Sequence, residues 1–344
     1  MNRKKILFLI ACILVLTLVF TGCGQKQTEE KGTGAPDQKE QTINLSYGEV
    51  NPDGHPITDG AYEFARIVKE KTNGRITITV YPAGQLGSER EHIQSLQAGG
   101  LDFFRSNSNT LPDFGSGKMS ILALPFIFDN RDHMWKALNG PIGQEVLQDL
   151  IDNKMRMIGL TYFDDGARHV FTNNKKIEKV EDLKGLKIRV PQNQIMMDMI
   201  EALGASPTPI AYGELYSSLQ TGIVDGAENT IAGYLTNSFY EPSPYLTLNA
   251  HMSSPGVVIV SELTWNKLSA EDQKIIREAA QEASKFVRLK TEAFEAEALK
   301  ELAKRGATIT YIDDISPWQE AVAPLYNTYG SKYMNLIEAI QNTK

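Results

Sequence analysis

A chain of 344 residues is long enough for two domains with separate cores. With 42% hydrophobic and 22% charged residues it has the composition of a globular protein, which excludes a wholly disordered or collagen-like chain. The formal net charge is −7 and no basic run could follow a phosphate backbone, which argues against nucleic acid; an anionic ligand would have to be held by a few local cations.

The amino terminus opens with the basic "MNRKK" and an apolar run, "ILFLIACILVLTLVF". That run suits the core of a signal peptide and is short for a membrane span. "FTGC" follows, and resembles a bacterial lipobox in which Cys23 is lipidated and becomes the mature amino terminus; Phe20 stands where such motifs usually carry leucine. The alternatives are a plain secretory signal or an uncleaved anchor. A signal over residues 1–22 takes Arg3, Lys4, Lys5 and Cys12 with it, so the mature chain is more acidic and Cys23 has no partner for a disulfide. Residues 23–42 are polar and nearly free of apolar side chains, as in a flexible tether. The expected location is extracytoplasmic, lipid-anchored to the outer face of the cytoplasmic membrane.

From Ile43 onward, strand and helix patterns alternate. "INLSYGEV" reads as a strand, "DGAYEFARIVKEKTNG" as an amphipathic helix closed by Gly74, and "RITITVYP" as a strand of period two. "SEREHIQSLQAGG" has a serine cap, Glu91 at the capping-box position and glycines at its end; "LDFFRSNS" is the next strand. A second run of the same kind starts near Glu181. "EDLKGLKIRVP" is strand-like, "QNQIMMDMIEALG" a helix ended by Gly204, "ASPTPIA" extended, and "YGELYSSLQTG" a helix leading into "IVDGAEN". Such spacing implies βαβ crossovers and sheets covered by helices. Two α/β units predict two lobes with a ligand cleft between them. The segment from Ser269 to Gly306 predicts a helix long enough to span both lobes, or two helices with a kink.

Enzyme signatures are missing: there is no GxSxG elbow, P-loop or HExxH. His55, His92, His133, His169 and His251 show no metal-site spacing. The expectation is a protein without catalysis, cofactor or metal.

Arginines stand at two places a ligand could reach. Arg189 ends the strand in "GLKIRVPQ", on the face opposite Ile188 and Val190 and just before Pro191. The carboxyl ends of strands are where open α/β sheets bind ligands, but a solvated arginine on an edge strand reads the same way. Arg168, in "YFDDGARHVF", is expected in a polar break after a strand, either facing a ligand or paired with Asp164 or Asp165. A guanidinium grips a carboxylate through two parallel hydrogen bonds, which lysine cannot reproduce. Asn229 in "GIVDGAENT" is placed just after a strand, as a ligand-binding amide or a turn residue.

"LKGLKIRVP", "ALGASPTPIAYGELYSSLQTGIVDGAEN" and "VYPAGQLGSE" strongly resemble the substrate-binding proteins of TRAP transporters (tripartite, ATP-independent, periplasmic). The resemblance runs from about Ile43 into the long helix. It implies a two-lobed α/β receptor of the type II periplasmic-binding-protein kind, which closes on an organic acid and passes it to the small and large subunits of a membrane permease. By position, Arg189 matches the family's carboxylate-gripping arginine and Arg168 a second arginine of many members. Asn229 matches an asparagine that contacts the acid, and Tyr212 an aromatic ring against it. Glu89 and Asn107 fall at first-lobe positions that contact substrate in sialate-binding relatives; Asn107 departs from the acidic residue found there, which argues against sialate. The expected division is lobe I over residues 43–165, with about 255–294 returning to it, and lobe II over 166–254, with the C-terminal helices of about 295–344 packing on it.

His55, Glu89, Arg105 and Asn107 on the first lobe, with Gln192 and Asn193 on the second, are further lining candidates, of kinds suited to hydroxyl groups. "DHMWKALNGPIGQEVLQ" and "TYFDDGAR" also look like the uronate-binding branch. The expected ligand is therefore a monocarboxylic sugar acid such as glucuronate or galacturonate. A C4-dicarboxylate is the alternative, with Arg105 as a second clamp unless it pairs with Asp102, and a sensor subunit on the same fold would bind the same ligand.

Overall fold

The computed structural model describes residues 42–343. The expected signal segment, Cys23 and all but the last residue of the expected tether lie outside the described residues. In chain order the elements are β1 (Ile43–Gly48), α1 (Pro56–Lys71), β2 (Ile76–Tyr81), α2 (Glu89–Ala98), β3 (Phe103–Asn107), α3 (Met119–Leu122), α4 (Arg131–Leu138), α5 (Pro141–Asp152) and β4 (Met157–Phe163). They continue with β5 (Arg168–Thr172), β6 (Lys187–Val190), α6 (Gln194–Ala202), β7 (Ser206–Pro209), α7 (Leu215–Gln220), β8 (Gly226–Thr230), α8 (Ile231–Thr236) and β9 (Tyr245–Met252). Last come β10 (Gly256–Ser261), α9 (Glu262–Trp265), α10 (Ala270–Lys304), β11 (Thr308–Tyr311), α11 (Ser316–Val322), α12 (Pro324–Gly330) and α13 (Met334–Gln341).

The strands form two sheets, ordered β2-β1-β3-β10-β4 in lobe I and β11-β9-β5-β8-β6-β7 in lobe II. The expected parallel pairs are present: β1 lies between β2 and β3, and β6 between β7 and β8. Each sheet also holds a strand antiparallel to its neighbours. β10, an unbroken buried run "GVVIVS", inserts between β3 and β4, and β5 between β8 and β9. Periodicity cannot foresee such insertions, because the pairing residues lie far apart in the chain.

Two strands differ from the sequence reading. Arg168 begins β5 rather than sitting in a loop, and Asn229 lies inside β8 rather than after it. Both strands are buried along their whole length, and "GAENT" is poor strand material by propensity. Tertiary pairing decides here.

The long helix is one piece. Ser269 caps α10 by accepting from the Asp272 amide at 3.1 Å, and its 35 residues run roughly 52 Å at 1.5 Å each. Ile276, Ala279, Ala280, Ala283 and Val287 enter the core of lobe I; Ala298 and Leu302 enter that of lobe II. The C-terminal helices are not confined to lobe II. β11 extends its sheet and α11 packs on α6, but α12 touches both α6 and α3, and α13 lies on α5. Their apolar faces, with Trp318, Leu325, Ile337 and Ile340, join a core drawn from both lobes. Among the described residues no helix is long and apolar enough to cross a membrane, and no cluster of His, Cys, Asp and Glu could hold a metal.

Candidate functional site

The carboxyl ends of β3 and β6 face each other across a cleft with about 610 Å³ of empty space, its mouth included. Val50, Asn51, Ser88, Glu89, Arg90, Arg105, Asn107, Thr110 and Asp165 line one side; Arg168, Arg189, Pro191, Gln192, Ile210, Ala211, Tyr212 and Asn229 line the other. Of the residues named from sequence, only His55 and Asn193 are absent from the wall.

Arg189 is on an interior strand, since β6 is flanked by β8 and β7, and it is 2% exposed. Two of its nitrogens, Nε and Nη2, donate to the Ile210 carbonyl at 2.9 and 2.6 Å. The third, Nη1, is buried with no hydrogen-bond partner among the described residues. Its guanidinium also stands 5.8 Å from the Tyr212 ring centre. Burial pushes its pKa down to about 10, with the Arg168 charge adding to the fall and Glu228 opposing it. An uncompensated cation with a donor left over is arranged to receive an anion.

Arg168 is differently placed. Its Nε and Nη2 meet the Glu228 carboxylate at 2.5 and 2.8 Å, so its partner is neither Asp164 nor Asp165. Burial would raise the Glu228 pKa, but Arg168 outweighs it and holds the carboxyl down at about 2. His251 Nε2 lies 3.5 Å from the same carboxylate. The Arg168 charge is therefore cancelled within the protein while its edge still faces the cleft. Asn229 accepts from the Thr230 amide at 2.7 Å and donates to the Tyr212 hydroxyl at 3.3 Å. That hydroxyl also accepts from Asn237 Nδ2 at 2.8 Å, which fixes the ring edge-on to Phe239. Burial raises the Tyr212 pKa to about 12, so it is a neutral phenol.

On lobe I, Arg105 is 1% exposed and does not pair with Asp102. Its Nη2 and Nε donate to Glu49 at 2.9 and 3.3 Å, and its Nη1 to Asn107 Oδ1 at 3.0 Å. Asp102 instead accepts from Ser46 and Thr264. The Arg105 stem lies across Gly256 of β10, where any Cβ would collide with it. Glu89, the first residue of α2, accepts from the Asn107 amide at 2.7 Å and from Ser106 Oγ at 2.9 Å. The two lobes touch at the mouth. Arg90 Nη1 binds Asp113 at 2.9 Å and the Gln192 carbonyl of lobe II at 3.0 Å.

The two candidates outside the wall are helix caps. His55 Nδ1 accepts from the Ile57 amide at 3.2 Å at the start of α1, and burial lowers its pKa to about 4. Asn193 caps α6 by accepting from the Met196 amide at 3.1 Å, and reaches Asn109 across the lobes at 3.4 Å. Sequence reasoning missed Asn51, Thr110 and the lining role of Asp165. Asn51 lies in the same "NPDGHP" as His55, so that loop does reach the cleft, through Asn51 in the wall while His55 caps α1.

Residues 47–332 match the family model described as "Bacterial extracellular solute-binding protein, family 7". The chain belongs to that family. A curated solute-binding protein of Chromohalobacter salexigens is 33% identical over 287 residues, 83% of this chain and 84% of that one. Two solved structures of the family's TRAP periplasmic receptors superpose closely. One, from Pseudomonas putida F1 with bound D-glucuronate, has a TM-score of 0.85 at 31% identity and covers 88% of this chain and 98% of its own. The other, from Xanthobacter autotrophicus Py2 with bound β-D-galacturonate, has a TM-score of 0.84 at 34% identity, covering 87% and 100%. This family 7 receptor thus has the two-lobed fold of the TRAP solute-binding proteins.

Proposed function

We propose that the protein captures a monocarboxylic sugar acid of the hexuronate class and delivers it to the two subunits of a TRAP permease, without chemical change to the ligand. The observation that carries this reading is the buried, unpartnered Nη1 of Arg189. A ligand carboxylate would complete that guanidinium, with the Arg168 edge, Asn229 and Tyr212 beside it. The charge pattern supports one carboxylate rather than two. Arg105 is neutralised by Glu49, and Glu89 and Asp165 add further negative charge to that wall. A second carboxylate there would meet repulsion, whereas hydroxyl groups would find acceptors and amide donors. The glucuronate and galacturonate held by similar receptors point the same way.

Binding by closure is part of the proposal: the acid docks on lobe II and lobe I folds over it, with Arg90 bridging to the Gln192 carbonyl. Residues 1–22 are proposed as a cleaved signal, and Cys23 as a lipid anchor that keeps the receptor on the outer face of the cytoplasmic membrane. Thermal melting against hexuronates, aldonates, C4-dicarboxylates, keto acids and sialate tests the ligand class. Ligand at a hundredfold excess over Kd should add about 2.7 kcal/mol of stability. A rise with hexuronates is expected; a rise with succinate or malate alone would contradict the sugar-acid assignment.

A further inference from the structure

The linker from β4 to β5, residues 164–167, carries two adjacent carboxylates that the fold uses in opposite ways. Asp164 turns away from the cleft. It accepts from Trp135 Nε1 at 2.8 Å and the Gly166 amide at 3.0 Å, and pairs with Arg131 at 3.0 Å. Asp165 turns into the cleft wall, is 7% exposed, and accepts no hydrogen bond among the described residues. Its nearest cation is Arg105, whose Nη1 stands 3.6 Å away and donates to Asn107 instead. Arg105 therefore stands beside Asp165 without occupying its lone pairs.

Other carboxylates at this cleft are claimed. Glu49 accepts from the Val50 and Asn51 amides, from Asn51 Nδ2 and from Arg105. Glu89 is taken up by Ser106 and Asn107, and Glu228 by Arg168. The cleft is left with an open donor on one wall, Arg189 Nη1, and an open carboxylate acceptor on the other, Asp165. The buried Arg189 Nη1 without a partner is rare enough to need a reason, and the Asp165 carboxylate, which faces the cleft with no hydrogen bond from the described residues, has the complementary chemistry.

We propose that Asp165 is the specificity-determining residue of this receptor: its carboxylate accepts hydrogen bonds from ligand hydroxyls remote from the carboxylate held by Arg189. This rests on the sugar-acid reading and deepens it. The chemistry recognised is a hydroxyl, or a pair of neighbouring hydroxyls, on a chain or ring that ends in one carboxylate. The Asp165 carboxylate disfavours a ligand that offers a second carboxylate in that place, and a ligand that lacks the hydroxyl leaves this acceptor without a donor in the closed cleft. Position adds to the effect. Asp165 precedes Arg168 by three residues in a connection between the lobes, so a ligand bridging Arg189 and Asp165 ties lobe II to the linker itself.

The test is calorimetric titration of the purified protein and its Asp165→Asn variant with D-glucuronate, D-galacturonate and succinate, with melting temperature checked first. The variant keeps the shape but loses the charge and gains a donor. The expected result is a thirtyfold or greater loss of hexuronate affinity in the variant, with succinate affinity unchanged or improved, so that the preference narrows from both sides. Hexuronate affinity within threefold of the wild type, or an equal loss for every acid, would overturn this role while leaving the sugar-acid reading intact. A wild type that prefers succinate, or binds none of the three, would overturn both. Should Asp165→Asn fold poorly, monodeoxy hexuronates against the wild type give the same answer. One deoxy position should lose binding by tens of fold, and equal binding of them all would refute the role.

Discussion

Arg189 Nη1 has every feature of a group awaiting its partner. It is buried, it belongs to an uncompensated cation, and its sister nitrogens are pinned by the Ile210 carbonyl. Arg189→Ala should remove the clamp at a cost to binding of about 2–5 kcal/mol while the protein keeps its melting temperature, read by titration and thermal scan. Arg168 behaves in the reverse manner. Because Glu228 cancels its charge inside the protein, Glu228→Gln leaves a buried guanidinium unpaired. That should lower unfolding stability by about 3–5 kcal/mol, a large drop in melting temperature, whether or not ligand is present. A third consequence is acid sensitivity. Burial lowers the pKa values of His55 and His92 to about 4 and of His169 to about 3. In the unfolded chain each titrates near 6.5, so below that pH the unfolded state takes up protons that the folded state refuses. Their stabilisation is complete above pH 6.5 or so and is lost as pH falls toward 4, on the order of 2 kcal/mol for each by pH 5. Glu49 and Asp164, whose pKa values burial raises, act in the opposite sense and reduce the net fall. Melting temperature measured from pH 7.5 to 5 should therefore decline in the free protein.

At the scale of elements, the close approach of α1 and α10 fixes the outer layer of lobe I. Gly60 of α1 faces Val287 of α10 so closely that a Cβ would collide with it and press on Phe163. Gly60→Val should destabilise by about 1–3 kcal/mol through overpacking, even though helix propensity alone favours the change. A higher melting temperature would mean the helices can separate without loss. Elements with a clear local signature are legible in the sequence: the capping box of α2 and the strand before Pro191 follow from residue spacing, whereas the stretch of α10 reads as one helix or as two with a kink until the structure shows it in one piece. β8 is hard to read because "GAENT" is polar or small, and the start of β5 because Arg168 and His169 follow a polar break; burial between other strands makes both of them strands. The site divides in the same way. Arg189 and Glu89 stand at element ends that a pattern can locate. Asp165 and Asn51 lie in irregular linkers, where nothing in the order of residues says which of two neighbouring side chains turns inward.

The whole molecule works as two sheets joined by the β4–β5 linker, the β9–β10 connection and the unbroken α10, with the ligand wall shared between them. Arg90, bound to Asp113 on its own lobe and to the Gln192 carbonyl on the other, makes one of the contacts between the lobes, with Asn193–Asn109, that an opening motion must break. Arg90→Ala should hasten ligand release several-fold in stopped-flow displacement and leave the association rate nearly unchanged if, as proposed, docking on lobe II precedes closure. Capture of the ligand is proposed to rest above all on the union of a sugar-acid carboxylate with Arg189. It is tested directly by titrating D-galacturonate and D-glucuronate into the wild type and Arg189→Ala side by side in a calorimeter. Saturable one-to-one binding by the wild type, at least thirtyfold weaker in a variant that melts normally, is the predicted result. Equal affinity in the two proteins, or no heat from either acid with well-folded wild type, would contradict it.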